Sequence, residues 1–408
     1  MLVGLSLGAR DRPRTLASLE ELAELTTSAG ARVARTLLQE RARRDSATLI
    51  GRGKVKELTA VCEEAGADLV VFDDDLSPAQ QRNLEQAIGR KTLDRTQLIL
   101  DIFARRARTR EGRLQVELAQ LDYLLPRLAG KGILLSRLGG GIGTRGPGET
   151  KLETDRRRIR QRIQSVKREI EHVRRERTTR REARTRREAP VVALVGYTNA
   201  GKSTLFNALT HGGAVVSSQL FVTLDPLVRK VRLGSGRELL LVDTVGFIRK
   251  LPHSLVAAFR ATLEEVNEAD LLLHVVDASA PDVELREAAV AAVLKEIGAA
   301  ERPQLLVLNK CDAAPAGRPE ALAGSRADAI GVSALSGDGL PRLLQAIASR
   351  VDLAPRRLRL RLAASDRRGI ASVYAQGHVF GHVTEGEFVE LDVELPERAI
   401  ARLQEHLR

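Results

Sequence analysis

Apolar runs of strand length alternate with helix-period stretches through the first hundred residues. Leu2–Leu7 reads as a strand, Leu16–Ala29 as an amphipathic helix, Ala67-Asp-Leu-Val-Val-Phe72 as another strand, and Ser77-Pro-Ala-Gln80 as the cap of a helix through Ile88. This alternation predicts a small α/β domain with a parallel sheet over residues 1–105. From 106 to 188 the period lengthens: Leu114, Leu118, Leu121, Leu125 and Leu128 step by four and three, as do Ile159, Ile163, Val166, Ile170 and Val173 after Leu152. Two such stripes separated by a loop predict a long antiparallel helical hairpin. Its second helix, if continuous over 151–187, would be about 55 Å long at 1.5 Å per residue.

After a charged hinge at Arg180–Ala189, strand patterns at 227–233, 238–243, 270–277, 304–309 and 328–333 alternate with helix patterns at 253–268, 282–297 and 339–350. With the buried strand Val191–Val195 they predict a doubly wound α/β domain over 189–352. The tail, 353–408, reads as a small α+β domain: strand Leu358–Leu362, a helix near 366–376, strand Glu387–Leu395 and a final helix over 396–407, with no chemical motif. The expectation is therefore a multi-domain α/β chain.

Composition narrows the partners. Sixty-five Lys and Arg against 53 Asp and Glu give a net charge of +12, which points to a polyanion beside any small ligand. The charge is concentrated: residues 151–190 hold 16 basic and 7 acidic side chains. An arginine-rich arm grips an RNA backbone through bidentate phosphate contacts and counterion release, whereas a merely solvated helix would balance its signs through pairs such as Glu171–Arg175. The loop between the helices, Leu138-Gly-Gly-Gly-Ile-Gly-Thr-Arg-Gly-Pro-Gly-Glu-Thr150, is far richer in glycine than a connector requires. It is expected to approach RNA closely through Arg145, with Arg156, Arg157 and Arg158 following on the second helix.

Aromatic residues make up only 3%, so base-stacking platforms are not expected. Cys62 and Cys311 form neither a disulfide framework nor a metal pattern, and no apolar run is long enough to span a bilayer; a cytoplasmic monomer is expected. Two weaker features take bland readings. Ile50-Gly-Arg-Gly-Lys-Val55 is read as a strand-to-helix turn rather than a second phosphate or RNA-backbone contact, and Asp73-Asp-Asp75 as a solvated loop rather than a metal site.

The chemistry lies in the doubly wound domain. Gly196-Tyr-Thr-Asn-Ala-Gly-Lys-Ser-Thr204 joins an apolar strand to a helix and spells a phosphate-binding loop. Glycines at 196 and 201 let the backbone wrap an anion, the N–H groups of Asn199 through Thr204 face it, Lys202 brings charge to the terminal phosphates, and Ser203 can ligate Mg²⁺. Asp243-Thr-Val-Gly246 follows a second strand, placing a carboxylate for Mg²⁺ and a Gly246 N–H for a γ-phosphate. Between them, Gln219-Leu-Phe-Val-Thr-Leu-Asp-Pro226 reads as the first switch, with Phe221 beside the nucleotide and Thr223 on metal and γ-phosphate.

Asn309-Lys310-Cys311-Asp312 then specifies the base. A carboxylate at Asp312 accepts from both N1–H and the 2-amino group of guanine, donors that adenine lacks. Ser333-Ala334 can supply an N–H to guanine O6. The predicted activity is GTP hydrolysis, with Lys202, Thr223, Gly246 and Asn199 as catalytic candidates. Phe247 stands where a Ras-type GTPase carries its water-orienting glutamine, so slow intrinsic hydrolysis and an activating partner are expected. Asn199 either helps hold K⁺ beside the phosphates or simply hydrogen-bonds its own loop.

With those residues in place, the chain resembles the HflX family of translation GTPases. The resemblance is carried by GYTNAGKST, FVTLDP, DTVGFI followed by LPHSLVAAF, and NKCD. The more specific stretches are GGGIGTRGPGETKLETDRRRIRQRI, LDRTQLILDIFARRARTREGRLQVELAQL and VFDDDLSPAQQRNLE. It implies a ribosome-associated GTPase that binds the large subunit and its ribosomal RNA and splits stalled ribosomes under stress, the hairpin reaching toward the peptidyl-transferase region. A GTP-timed assembly factor on ribosomal RNA would use the same motifs, and a signalling switch would have no use for the basic arm.

Overall fold

The computed structural model describes residues 1–128, 151–185, 189–210, 212, 220–221, 223–233, 238–250, 260–324, 326, 329–351, 355–396 and 400. The glycine-rich tip with Arg145, the LPHSLVAAF stretch and, apart from residues 396 and 400, the final helix expected over 396–407 lie outside them.

Strands β1 (Leu2–Ser6), β2 (Thr36–Glu40), β3 (Leu69–Phe72) and β4 (Lys91–Asp94) form an all-parallel sheet in the order β2-β1-β3-β4. Helix α1 (Arg12–Ser28) and helices α2 (Arg52–Glu64) and α3 (Pro78–Ile88) serve separate apolar clusters: Leu19, Leu22 and Leu25 join Leu2 and Val71, while Val55, Leu58 and Leu84 join Val3 and Phe72. Burial on both faces gives the uninterrupted apolar runs at Leu2 and Leu69. Gly4 lets α1 close on the sheet, since a Cβ there would lie 2.7 Å from Leu19 Cδ1. The cap at Ser77 forms as expected, Gln80 N donating to Ser77 Oγ at 3.2 Å and Ser77 N to Gln80 Oε1 at 3.0 Å. The turn at Gly51 likewise leads directly into α2.

The acidic run departs from the expected solvated loop. Asp73 is fully buried and accepts from Ser18 Oγ at 2.7 Å, Arg95 Nη1 at 2.8 Å and Lys250 Nζ at 2.6 Å. Burial alone would raise its pKa, but the charges of Arg95 and Lys250 prevail and hold the carboxyl below its ordinary value. Arg95 is buried too and also pairs with Glu21.

Helix α4 (Arg95–Arg106) leads to α5 (Arg110–Arg127), and α6 (Lys151–Thr185) runs unbroken for about 52 Å. The hairpin stripes meet as predicted: Leu114, Leu118 and Leu121 of α5 pack with Val166, Ile170 and Val173 of α6, and Arg162 bridges both oxygens of Glu117 at 2.6 and 2.9 Å. The opposite face of α5 is also occupied. Val116, Ala119 and Tyr123 join the core around Ile99 and Phe103, Tyr123 donates to Asp94 at 2.8 Å, and Arg127 reaches Asp94 at 3.0 Å. The root of the hairpin is thus built into the N-terminal body rather than hung from it.

Strands β5 (Val191–Gly196), β6 (Leu227–Arg232), β7 (Glu238–Asp243), β8 (Leu271–Asp277), β9 (Gln304–Asn309) and β10 (Ile330–Gly331) form the central sheet, ordered β10-β9-β8-β5-β7-β6 and parallel except for β6. Helix α7 (Lys202–Thr210) follows β5, and helices α8 (Arg260–Glu268), α9 (Val283–Glu296), α10 (Arg318–Ala323) and α11 (Leu340–Arg350) complete the doubly wound layers. One face has its own core of Leu194, Leu205, Leu273, Val307 and Leu343. The core of the other face is continuous with that of the N-terminal body, joining Val195, Tyr197, Phe221, Phe247 and Ile248 to Leu22, Leu25, Ile99 and Phe103.

The tail forms an antiparallel sheet of β11 (Pro355–Ala363), β12 (His378–Glu385) and β13 (Phe388–Pro396), order β11-β13-β12, with α12 (Arg367–Gln376) contributing Val373 to its core. β12 escapes a sequence reading because a bulge between Val379 and Gly381 breaks its alternation. The few aromatics are not all internal: Phe380 and Phe388 are exposed beneath the guanidinium groups of Arg357 and Arg361, each 4.5 Å from the ring centre.

Candidate functional site

The C-terminal ends of β5, β7 and β9 bring three separated motifs to one edge of the sheet, where a doubly wound fold places its ligand. The phosphate loop owes its shape to its glycines. A Cβ at Gly196 would lie 2.2 Å from Val275 O, and one at Gly201, where φ is +87°, 2.2 Å from Asn309 Nδ2. Asn199 also sits at positive φ, +61°, which asparagine tolerates better than most residues. Ala200 is buried beside it, and Thr204 continues into α7.

Lys202 is buried, its Nζ donating to Gly196 O at 3.1 Å and Tyr197 O at 2.8 Å. Burial lowers its pKa to about 8, opposed by the charge of Asp243. A polyphosphate entering the loop favours the ammonium form and raises that pKa again. Below pH 8 the lysine is charged both free and bound, so affinity is level; above pH 8 the free protein loses the proton and binding must restore it. GTP affinity should therefore fall as pH rises through about 8, by up to about tenfold per pH unit, with Lys202→Ala removing the slope. Calorimetric titration from pH 7 to 9.5 in buffers of different ionisation enthalpy would measure both the slope and the proton uptake.

Around Asp243 the three expected metal ligands converge. Ser203 Oγ donates to Asp243 Oδ2 at 2.7 Å, Thr223 Oγ1 donates to the same oxygen at 2.9 Å, and the two hydroxyls are 2.8 Å apart. Asp243 Oδ1 is buried without a hydrogen-bond partner among the described residues. A buried carboxylate with a spare oxygen and two hydroxyls is a hard-oxygen donor set that fits Mg²⁺. Gly246 lies alongside, where a Cβ would come within 2.9 Å of Thr198 Cα and 3.1 Å of Lys202 Nζ. Phe247 is fully buried, its N donating to Gly196 O at 3.1 Å and its O accepting from Thr198 N at 2.7 Å. The ring therefore points into the shared core, away from any attacking water.

Some of the expected nucleotide residues are engaged within the protein. Phe221 is buried and packs edge-on against Phe103, centroids 4.5 Å apart, an apolar contact that removes both rings from water. At Ser333-Ala334 both N–H groups have protein acceptors, Asp338 O at 2.9 Å and Asn309 Oδ1 at 3.0 Å, so neither is free for guanine O6 in this structure. Asn309 also donates to Ala200 O at 2.9 Å, which makes it a strut between the base side and the phosphate loop. Asp312 is exposed at the end of β9, as a base-reading carboxylate must be. Arg156, Arg157 and Arg158 occupy the first two turns of α6.

Other contributors carried no sequence signal. Asp277 at the end of β8 holds Lys310 Nζ at 2.7 Å, and Tyr197 accepts from Arg249 N at 2.9 Å while its hydroxyl bonds Glu21 of α1. Arg249 pairs with Asp282 and Lys250 with Asp73, so the segment after Gly246 is tied to both bodies. Among the described residues no helix is long and apolar enough to cross a membrane.

The chain is similar in sequence to known proteins over most of its length. Residues 16–104 match the family described as GTP-binding GTPase N-terminal, 106–184 the GTP-binding GTPase middle region, and 191–310 the 50S ribosome-binding GTPase. GTPase HflX of Caldanaerobacter subterraneus is 53% identical over 335 residues, 82% of this chain and 77% of that protein. GTPase HflX of Escherichia coli is 46% identical over 351 residues, 85% and 82% of the two chains. Among solved structures, the GDP complex of SsGBP aligns over 85% of this chain and 97% of its own, at 26% identity and a TM-score of 0.48. With relatives this similar over most of their length, and a nucleotide site assembled from the expected motifs, the protein is a GTP-binding, GTP-hydrolysing member of the HflX family.

Proposed function

We propose that the protein binds the large ribosomal subunit and splits stalled ribosomes in a GTP-dependent manner. The observation that carries this reading is the shared core: the face of the GTPase domain bearing Phe221 and Phe247 is packed against the root of the basic hairpin, so a change at the phosphates has a direct mechanical outlet. The match to the family described as 50S ribosome-binding GTPase supports the large subunit as the surface on which that outlet acts. Arg156, Arg157 and Arg158, with Arg145 at the tip, meet ribosomal RNA. Its test is whether GTP and the protein convert intact ribosomes to subunits in a sedimentation gradient.

In the reaction, Asp312 reads guanine, Lys202 neutralises charge on the transferred phosphoryl group, and the Gly246 N–H donates to a γ-phosphate oxygen. Ser203, Thr223 and Asp243 would hold Mg²⁺, which supplies charge stabilisation to the β- and γ-phosphates. A water attacks the γ-phosphorus in line, leaving GDP and phosphate. Phe247 can neither orient nor deprotonate that water, so single-turnover hydrolysis should be slow for the isolated protein and rise by about 10³-fold or more on the large subunit. Rates unchanged by the subunit would contradict this. The same assay in potassium and sodium addresses Asn199: a K⁺ role predicts faster hydrolysis in potassium, abolished by Asn199→Ala, whereas a loop-shaping role, favoured by its positive φ, predicts no cation dependence.

A further inference from the structure

The segment carrying Thr223 has a second anchor outside the nucleotide site. Asp225 Oδ2 accepts from Arg108 N at 3.0 Å and Thr109 N at 2.9 Å, while Oδ1 takes the Thr109 hydroxyl. Thr109 is the N-cap of α5, its Oγ1 accepting in turn from Gly112 N at 3.0 Å. A carboxylate from the switch therefore completes the cap of a hairpin helix, where orphan N–H groups and the helix dipole both favour negative charge. Gly112 makes the approach possible: a Cβ there would lie 2.5 Å from Asp225 Oδ1. On the other side of Thr223, Phe221 is pinned on Phe103 and Leu220 N donates to Ser28 Oγ at 3.1 Å.

We infer that Asp225 is a positioning residue that couples the nucleotide site to the hairpin. Thr223 is two residues away and sits on Ser203 and Asp243, so a γ-phosphate and metal that hold Thr223 also hold Asp225 on the α5 cap. Loss of the γ-phosphate withdraws Thr223 and with it the cap. Because coupling between two sites is reciprocal, any load that orders the root of α5 favours Thr223 in place. The inference rests on GTP binding and hydrolysis alone, and stands or falls separately from ribosome splitting.

Hydrogen exchange on the full chain without ribosomes tests it, reading the amides of Arg108, Thr109 and Gly112 with Mg²⁺ and either a non-hydrolysable GTP analogue or GDP. The expected result is exchange slower by about fivefold or more in the analogue state, the scale of one helix cap. Asp225→Ala removes the acceptor, and Gly112→Ala blocks its approach while adding a helix-favouring residue. Both should erase the difference between nucleotide states and weaken the preference for analogue over GDP by the same factor. Equal exchange in the two states of the unaltered protein would overturn the inference, as would a difference that survives in both variants.

Discussion

Asp312→Asn should lower GTP affinity by about 10³-fold. The carboxylate accepts two hydrogen bonds from guanine, each worth about 1.5–3 kcal/mol when one partner is charged, and an amide can accept only one of them. Its NH2 would instead face the 2-amino group, donor against donor. A purine carrying a carbonyl at C2 offers the complementary acceptor, so the variant should bind the xanthine nucleotide better than the guanine one, with hydrolysis retained on the new base. Competition binding with GTP, ATP and xanthosine triphosphate measures the reversal. Asp312 is exposed and makes no hydrogen bond among the described residues, so the thermal midpoint should not move. Parallel losses for both purines would show that residue 312 acts through folding and not through the base.

Lys202→Ala should reduce single-turnover hydrolysis by about 10³-fold, comparable to removing one preorganised donor from a developing negative charge. The effect on folding should have the opposite sign. Burial holds the pKa of Lys202 near 8, below its ordinary value of 10.5, so the charged form is disfavoured by folding. The unfolded chain binds the proton more tightly, and this penalty is fully present below pH 8 and fades between 8 and 10.5. Truncation relieves it. At neutral pH the variant should be as stable as the parent or more so, while nearly inactive, a pair of outcomes that thermal denaturation and phosphate release can separate.

How far the sequence reaches depends on the physical origin of each feature. The phosphate loop, the metal ligands and the guanine-reading carboxylate are legible because their chemistry requires particular side chains at short fixed spacings, and the structure brings Ser203, Thr223 and Asp243 within 3 Å of one another. The hairpin stripes are legible because Leu114, Val166 and Ile170 keep one helical period over several turns. Asp73 is not legible. Three consecutive aspartates look solvated until Arg95, 22 residues on, and Lys250, 177 residues on, are known to converge on the first of them. Phe221 and Tyr197 fail for the same reason, since their partners Phe103 and Glu21 belong to a different domain. Local pattern identifies the parts of the nucleotide site, whereas its connection to the hairpin consists of contacts distant in sequence.

That connection gives the phosphate loop its significance. A GTPase domain alone changes state at its switches, but here the switch bearing Thr223 and the segment after Gly246 are both joined to the body that roots α5, through Phe221 and Asp225 on one side and Lys250 and Asp73 on the other. An arm with a strong basic excess is thereby placed under control of the γ-phosphate.

The most direct measurement of this account is sucrose-gradient sedimentation of intact ribosomes incubated with the full-length protein and GTP, GDP or a non-hydrolysable analogue. The account predicts conversion to free subunits with GTP, the protein migrating with the large subunit in the analogue sample, and neither effect with GDP. Intact ribosomes in every sample, with the protein bound to the large subunit under GTP, would contradict splitting and leave a GTP-timed RNA-binding factor in its place.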